Sequence, residues 1–189
     1  MSTNIMIVGV GGQGSLLASK LLGYLLLNQG CDVKVSEVHG MSQRGGNVVT
    51  YVRFGKKVYS PVVDRGEADF IVSFELLEAA RWVHYLKPNG RIIVSTQQID
   101  PMPVLTGAAT YPKDLVAQMQ ALGVQVDSVD GLALAQAAGS PKAVNLVLMG
   151  MLSKYFDFPE AAWQDAITAC VPKKVLDLNR KAFLMGRDA

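Results

Sequence analysis

The sequence predicts an α/β protein: a three-layer α/β/α domain with a mixed, mostly parallel sheet and a helical C-terminal region. Short apolar runs alternate with stretches of helical periodicity over the first two thirds of the chain. The uninterrupted apolar run ADFIVSF at 68–74 is typical of a central strand that is buried on both faces. From Asp130 onward the pattern is helical, with breaks at Gly139–Pro141, Phe158–Pro159 and Pro172.

The first part of the chain predicts a strand, a helix and a second strand. Asn4–Gly9 is a short apolar strand, and Ser15–Gln29 places its leucines on one broad helical face before Gly30 stops the helix. Asp32–Val38 alternates between apolar and polar residues, as a strand does. Two strands joined by a helix form a βαβ unit, so we expect them to be parallel with a right-handed crossover.

The middle of the chain departs from simple alternation. Asn47–Phe54 and Lys57–Tyr59 predict a hairpin turned by Gly55 and Lys56. The remaining expected elements are the strand Ala68–Phe74, the helix Glu75–Leu86, a turn at Pro88–Gly90, the strand Arg91–Thr96, a loop marked by Pro101 and Pro103, the helix Lys113–Leu122 and the strand Val124–Val129.

Length and composition restrict the class of protein. The 189 residues suit a single domain spanning 1–189, and the formal net charge of +2 gives no reason to expect nucleic acid or an anionic membrane as a partner. Half of the residues are hydrophobic. That fits a sheet buried on both faces, and it equally fits a chain that covers part of its surface with a partner. The start of the chain lacks a basic segment, and Cys31 and Cys170 are far apart, so we expect a cytoplasmic protein without disulfides.

A glycine-rich loop follows the first strand. Its residues are Gly9, Val10, Gly11, Gly12, Gln13 and Gly14, which fit the pattern GxGxxG between a strand and a helix and make the predicted domain Rossmann-like. The free N–H groups at a helix N-terminus favour an anion, and Glu37 lies where an acid that binds a ribose is expected. Three interpretations stay open: a dinucleotide site, another phosphate or ligand contact, or a turn that only lets the helix pack closely. Against a dehydrogenase, the chain enters SQRGG after Glu37 instead of a helix.

A second cluster of polar residues follows the second strand. Glu37, His39 and Arg44 are candidate catalytic residues, and Gly45 and Gly46 complete the loop. Arg44 can bind a carboxylate or phosphate with two hydrogen bonds, and a histidine can titrate near neutral pH. The alternative is an ion pair of Glu37 with Arg44 or His39 that only fixes the loop. Because ligand sites form at strand ends in open α/β sheets, we expect this loop and the glycine loop to converge.

No metal or cluster site is expected on this chain. Its only other histidine, His84, lies among aromatic residues and is interpreted as a packing or surface residue. Two cysteines are too few for an iron–sulfur cluster, which usually takes four.

The motifs together resemble a known family. GVGGQG, SEVHGMSQRGGNVVTYVRFG and VYSP are similar to the gamma-type domain of the pyruvate and 2-oxoacid:ferredoxin oxidoreductases. The run SEVHGMSQRGG resembles the branch that acts on indolepyruvate. Further similar segments are GEADFIVSFELLEAARWV, the pair Tyr111–Pro112, KAVNLVLMG and NRKAFLMG, so the resemblance spans nearly the whole chain.

The resemblance implies a subunit of a complex that oxidatively decarboxylates an aryl-2-oxoacid, forms an acyl-coenzyme A and reduces ferredoxin. Thiamine diphosphate, magnesium and the iron–sulfur clusters are then expected on a large alpha subunit, with coenzyme A as co-substrate. The same resemblance implies that Gly9, Gly11, Gly12, Gln13, Gly14, Gly45 and Gly46 lie against a cofactor or co-substrate. Two alternatives stay open: a stand-alone Rossmann-like dinucleotide-binding protein, and a non-catalytic interaction or scaffold domain that has kept the fold and lost the chemistry.

Overall fold

The structure is a computed structural model that describes residues 2–39 and 46–189, with the side chain of His39 outside that description. Its centre is a sheet in the order β2-β3-β1-β4-β5-β6. The pairs β1–β4, β4–β5 and β5–β6 are parallel, and only β3 runs against its neighbours. The strands are β1 Ser2–Val10, β2 Asp32–His39, β3 Asn47–Gly55, β4 Ala68–Ser73, β5 Leu86–Ser95 and β6 Gln125–Val129.

Helices cover both faces of the sheet. Apolar residues of α1 and of the four C-terminal helices pack on one face, and those of α2 and α4 pack on the other. The predicted three-layer α/β/α fold with a mixed, mostly parallel sheet is therefore confirmed. The helices are α1 Ser15–Asn28, α2 Leu76–Trp82, α3 Met102–Leu105, α4 Leu115–Ala121, α5 Gly131–Ala138, α6 Val144–Ser153, α7 Glu160–Cys170 and α8 Leu176–Asp188.

The first βαβ unit differs from the expected one in a single respect. β1 and β2 run in the same direction, but β3 lies between them and pairs antiparallel with both. Local periodicity shows that a strand exists and not which strands are its neighbours, so this insertion was not predicted. The insertion places the start of β3 beside the end of β1, where the glycine-rich loop begins.

Three local predictions differ from the structure. Lys57–Tyr59 is not a strand, because both edges of β3 are already paired with β1 and β2. Pro88–Gly90 is not a turn between elements but an irregular part of β5, where the pairing jumps from Ala68 opposite Leu86 to Phe70 opposite Arg91. The segment with Pro101 and Pro103, expected as a loop, contains the one-turn helix α3.

Helix α6 is the centre of the C-terminal region. All its residues from Val144 to Ser153 are buried. It packs on α8 at two glycines, and a Cβ added at Gly150 would lie 2.0 Å from the carbonyl oxygen of Phe183. At Gly186 the added atom would lie equally close, 2.0 Å, to the carbonyl oxygen of Val147. Only residues without a side chain allow the two backbones to approach this closely.

Within the described residues, no helix is both long and apolar enough to cross a membrane. Cys31 and Cys170 are free.

Candidate functional site at the carboxyl edge of the sheet

The loops that follow β1, β4 and β5 meet where the carboxyl ends of these strands lie side by side. This end of the sheet is here called the carboxyl edge. After β1 the chain leads into α1 and β2 on one side, while after β4 it leads into α2 and β5 on the other. The crevice between β1 and β4 is thus a topological switch point, the usual location of a ligand site in an open α/β sheet.

A backbone hydrogen bond joins the two glycine-rich loops. The N–H of Gly11 donates to the carbonyl oxygen of Gly46 at 2.9 Å. This contact follows from the sheet, since Val10 at the end of β1 pairs with Asn47 at the start of β3. The predicted convergence of the loops is therefore present where the chain is described. Arg44 and Gly45 lie outside the described residues, as does the side chain of His39.

A groove of about 390 Å³ lies between the glycine loop and β2. Its lining residues are Gly11, Gly12, Gly14, Ser15, Leu16, Glu37 and Val48. Glu37 accepts a hydrogen bond from the hydroxyl of the buried Thr50 at 3.4 Å. The groove thus combines backbone groups at the start of a 14-residue helix with one carboxylate.

The glycines of the loop serve different purposes. Gly12 has φ +101°, and among the described residues beyond its two chain neighbours no atom lies within 4 Å of an added Cβ. Gly14 has φ +91°, and an added Cβ would lie 2.7 Å from Nδ2 of Asn145 on α6. Gly12 therefore borders the groove without packing on the described residues, whereas Gly14 lets α1 start against α6.

The side chain of Gln13 turns inward and braces the loop. Its Oε1 accepts from the N–H of Val10 at 2.7 Å, and its Nε2 donates to the carbonyl of Phe74 and to Oε1 of Gln97, both at 3.3 Å. Gly9 allows this approach, because an added Cβ would lie 2.7 Å from Oε1 of Gln13. Gln13, predicted to contact a cofactor, has its amide engaged within the protein, and Gly9 is needed for packing.

A second cleft, of about 490 Å³, lies on the other side of the same loop. Gln97 and Lys142 line it, the latter from the short turn before α6. The side chain of Lys142 supplies a cation at the carboxyl edge that sequence reasoning missed. Its position depends on a segment more than 120 residues from the glycine loop, so the sequence offered no local signal.

A buried carboxylate directly after β4 was also missed. Glu75 is 1% exposed, and it accepts hydrogen bonds from the N–H of Glu78 at 2.9 Å and of Ile99 at 3.2 Å. The hydroxyl of Tyr111 donates a further hydrogen bond to it. Burial, together with this carboxylate, raises the pKa of Tyr111. The only sequence signal was an acid placed between a central strand and a helix start.

The neighbouring Glu78 is a structural carboxylate. It is 2% exposed, and its ion pair with Arg81 at 2.6 Å and the indole N–H of Trp82 at 3.3 Å do not offset its desolvation. Burial therefore raises its pKa. His84 is exposed and lies against Trp82 and Tyr85, as its interpretation as a packing or surface residue requires.

Across residues 2–39 and 46–189, no group of three or more histidine, cysteine, aspartate or glutamate side chains could hold a metal ion.

Comparison with known proteins identifies the family. Residues 4–189 match the family described as pyruvate ferredoxin/flavodoxin oxidoreductase. The chain belongs to this family. It is 44% identical to the indolepyruvate oxidoreductase subunit IorB of Thermococcus kodakarensis, over 97% of this chain and 93% of that one. The subunit of the same name from Pyrococcus horikoshii is also 44% identical, with the same coverage.

Solved structures of the family share the fold. Pyruvate oxidoreductase subunit PORC of Thermotoga maritima superposes with a TM-score of 0.76 at 20% identity, covering 99% of this chain and 96% of that one. At such low identity the likeness concerns the fold. The superposition covers nearly the full length of both chains, so the likeness of fold is not limited to one part of this chain.

Proposed function

We propose that this chain is a subunit of an indolepyruvate, or aryl-2-oxoacid, ferredoxin oxidoreductase. The complex oxidatively decarboxylates the 2-oxoacid to an acyl-coenzyme A and passes the electrons to ferredoxin. The observation that carries the proposal is 44% identity, over nearly the full length, to subunits of indolepyruvate oxidoreductases. The convergence of two glycine-rich loops at the switch point supplies a site through which such a subunit acts.

The chain, a single domain over residues 1–189, is inactive alone under this proposal. Its two cysteines fall short of the four that an iron–sulfur cluster usually takes. Thiamine diphosphate, magnesium and the clusters then reside on a large alpha subunit, and ferredoxin is reached through the complex. The two free cysteines fit the reducing cytoplasm.

The groove between the glycine loop and β2 faces the partner in this proposal. Gly12 leaves space for the coenzyme A or the substrate, and Glu37 lines the same groove. We assign His39, Arg44 and Gly45 to this site from their places in the sequence, while Gly46 joins the two loops through its carbonyl oxygen. By closing the partner's site, a subunit without cofactors still affects the rate, since small misplacements of reacting groups are costly.

An exposed apolar surface beside the groove also supports a subunit role. Leu16 and Leu27 of α1 are 63% and 61% exposed, and Val35 of β2 is 44% exposed. Leu16 lines both the glycine groove and this surface. Apolar surface of this kind is commonly buried when subunits assemble.

Anaerobic purification of the tagged chain from its native cell tests the proposal. The eluate is assayed for viologen reduction that depends on indolepyruvate and coenzyme A. We expect a large chain containing thiamine and iron–sulfur clusters to co-purify, and activity to require both chains. A chain that elutes alone, is inert and binds NAD(P) or FAD saturably would instead support the dinucleotide-binding alternative.

Two variants test the role of the glycine loops. Gly12→Val fills the groove and Arg44→Ala removes a cation from the second loop. We expect the complexes to assemble with reduced turnover or weaker affinity for coenzyme A. Normal assembly together with wild-type turnover and coenzyme A affinity in both variants would contradict the assigned role.

A further inference from the structure

We propose that Glu75 and Tyr111 are positioning residues that fix the glycine loop through Gln97 and Gln13. The proposal rests on the proposed function only in assigning a catalytic consequence to the loop. The loop's dependence on these two residues follows from the contacts of this chain.

One buried carboxylate holds both ends of the long connection between β5 and α4. The N–H of Ile99 donates to Oε1 of Glu75 at 3.2 Å, and the hydroxyl of Tyr111 donates to the same oxygen. The other oxygen accepts from the N–H of Glu78 at the start of α2. Glu75 therefore attaches residues 99–111 to the first turn of α2.

Tyr111 completes this attachment from the other side. Its oxygen accepts a hydrogen bond from the N–H of Leu77 at 3.0 Å while its hydroxyl donates to Glu75. A phenylalanine keeps the ring but loses both bonds. The role of Tyr111 thus rests on its hydroxyl group, and Tyr111→Phe isolates that role.

The attachment extends to the glycine loop through Gln97. The carbonyl oxygen of Gln97 accepts from the N–H of Leu76 at 3.0 Å, which fixes the backbone two residues before Ile99. The side chain of Gln97 then accepts from Nε2 of Gln13 at 3.3 Å. Gln13 in turn holds the N–H of Val10 at 2.7 Å. The backbone from Ile99 to Gln97 joins the contacts of Glu75 to those of Gln97, and the other steps are hydrogen bonds. Nε2 of Gln13 also donates to the carbonyl of Phe74, so loosening the connection at Glu75 weakens one of the two contacts that hold this amide.

The series of contacts from Tyr111 and Glu75 through Gln97 to Gln13 is here called the relay. The sheet contains a matched control for it. The hydroxyl of Tyr155 also donates to a carboxylate, that of Asp127. Tyr155 contacts Phe70 in β4 and Arg91 in β5, which lie opposite each other, and neither residue takes part in the contacts that lead to the glycine loop. Tyr155→Phe therefore removes a bond of the same type without touching the relay.

Hydrogen–deuterium exchange of the purified complex tests the relay directly. In Tyr111→Phe we expect the peptide covering residues 9–16 to exchange at least about 3-fold faster than in the wild type, since one net hydrogen bond corresponds to about 2- to 10-fold. Tyr155→Phe should leave this peptide unchanged. Equal exchange in Tyr111→Phe and the wild type would overturn the relay, and so would an equal increase in Tyr155→Phe.

A double variant distinguishes a relay from independent effects. Gln97→Ala should accelerate exchange of the same peptide, and adding it to Tyr111→Phe should give little further increase, because both act on one series of contacts. Additive effects would contradict the relay.

Kinetics connect the relay to catalysis. For Tyr111→Phe we expect kcat/KM for indolepyruvate or coenzyme A to fall about 3- to 10-fold with normal assembly, while Tyr155→Phe retains wild-type values. Faster exchange with unchanged kinetics would leave the positioning of the loop established but contradict its catalytic consequence. A wild-type complex without indolepyruvate activity would contradict the proposed function and not the relay.

Discussion

The sheet contains two tyrosine–carboxylate hydrogen bonds of the same type whose surrounding contacts differ. At the carboxyl edge, Tyr111 and Glu75 connect through Gln97 and Gln13 to the glycine loop. Away from this edge, Tyr155 and Arg91 both contact Asp127 in the middle of β6, with Arg91 lying over the tyrosine ring at 4.7 Å, and these three residues are here called the Asp127 cluster. The first network extends to the glycine loop and its open groove, whereas the second joins Tyr155, Arg91 and Asp127 to one another. A tyrosine–carboxylate hydrogen bond thus indicates function only through what else it holds in place.

The largest expected effect is a loss of stability away from the carboxyl edge. Gly150→Ala forces α6 and α8 apart, because the new Cβ would lie 2.0 Å from the carbonyl oxygen of Phe183. We expect the free energy of unfolding to fall by about 3 kcal/mol, measured by denaturant titration of the isolated chain. Gly23→Ala in α1 is the control, since its Cβ meets Val35 at an ordinary 3.9 Å. A glycine in a helix interior costs about 0.5–1 kcal/mol relative to alanine, so Gly23→Ala should stabilise. Equal destabilisation by both would contradict the account.

A smaller loss of stability is expected in the glycine loop, where residues needed for packing also border the candidate site. Gly14→Ala places a side chain at φ +91° and 2.7 Å from Nδ2 of Asn145, whereas Gly12→Ala meets only the unfavourable φ of +101°. Backbone strain of this kind costs about 1–2 kcal/mol. We expect Gly14→Ala to lower the unfolding temperature further than Gly12→Ala does. The reverse order would mean that Asn145 does not restrict the start of α1.

At the Asp127 cluster, we expect Tyr155→Phe to lower the free energy of unfolding by about 1 kcal/mol, the value of a typical hydrogen bond. Turnover of the assembled complex should be that of the wild type. A loss of turnover with little loss of stability would contradict the distinction between the network that reaches the glycine loop and the Asp127 cluster.

The smallest effect is a dependence on pH. Burial, together with the hydrogen bond to Asp127, raises the pKa of Tyr155 from 10.0 to about 12. The neutral hydroxyl is therefore favoured in the folded chain, so its contribution is complete below pH 10 and is lost as the pH rises from 10 towards 12. Denaturant titrations should show the stability difference between the wild type and Tyr155→Phe shrinking over this range. A difference that grows with pH would contradict the assignment.

The elements near the glycine loop were predictable because their signals are local. The predicted strand Asn4–Gly9 lies within β1, and the predicted helix Ser15–Gln29 differs from α1 by a single residue. A short apolar run, a glycine break and the spacing of leucines are each visible within a few residues of the sequence. The convergence of the two loops followed from the rule that ligand sites form at strand ends.

What the sequence did not predict depends on distant residues. The insertion of β3 between β1 and β2 is a choice of pairing that strand periodicity does not encode. The bulge at Pro88–Gly90 has the local composition of a turn, with Asn89 at φ 65°, yet the strand continues because β4 pairs on both sides of it. Glu75 meets Ile99 and Tyr111 across 24 and 36 residues, a separation at which local patterns carry no information.

The most direct test of the central claim compares hydrogen–deuterium exchange of this chain alone and in the assembled complex. If the carboxyl edge of the sheet is what this subunit contributes, peptides covering residues 9–16 and 36–48 should gain protection on assembly, while those around Arg91 and Asp127 should not. Protection around Arg91 and Asp127, with the glycine loop exchanging as in the isolated chain, would contradict the account.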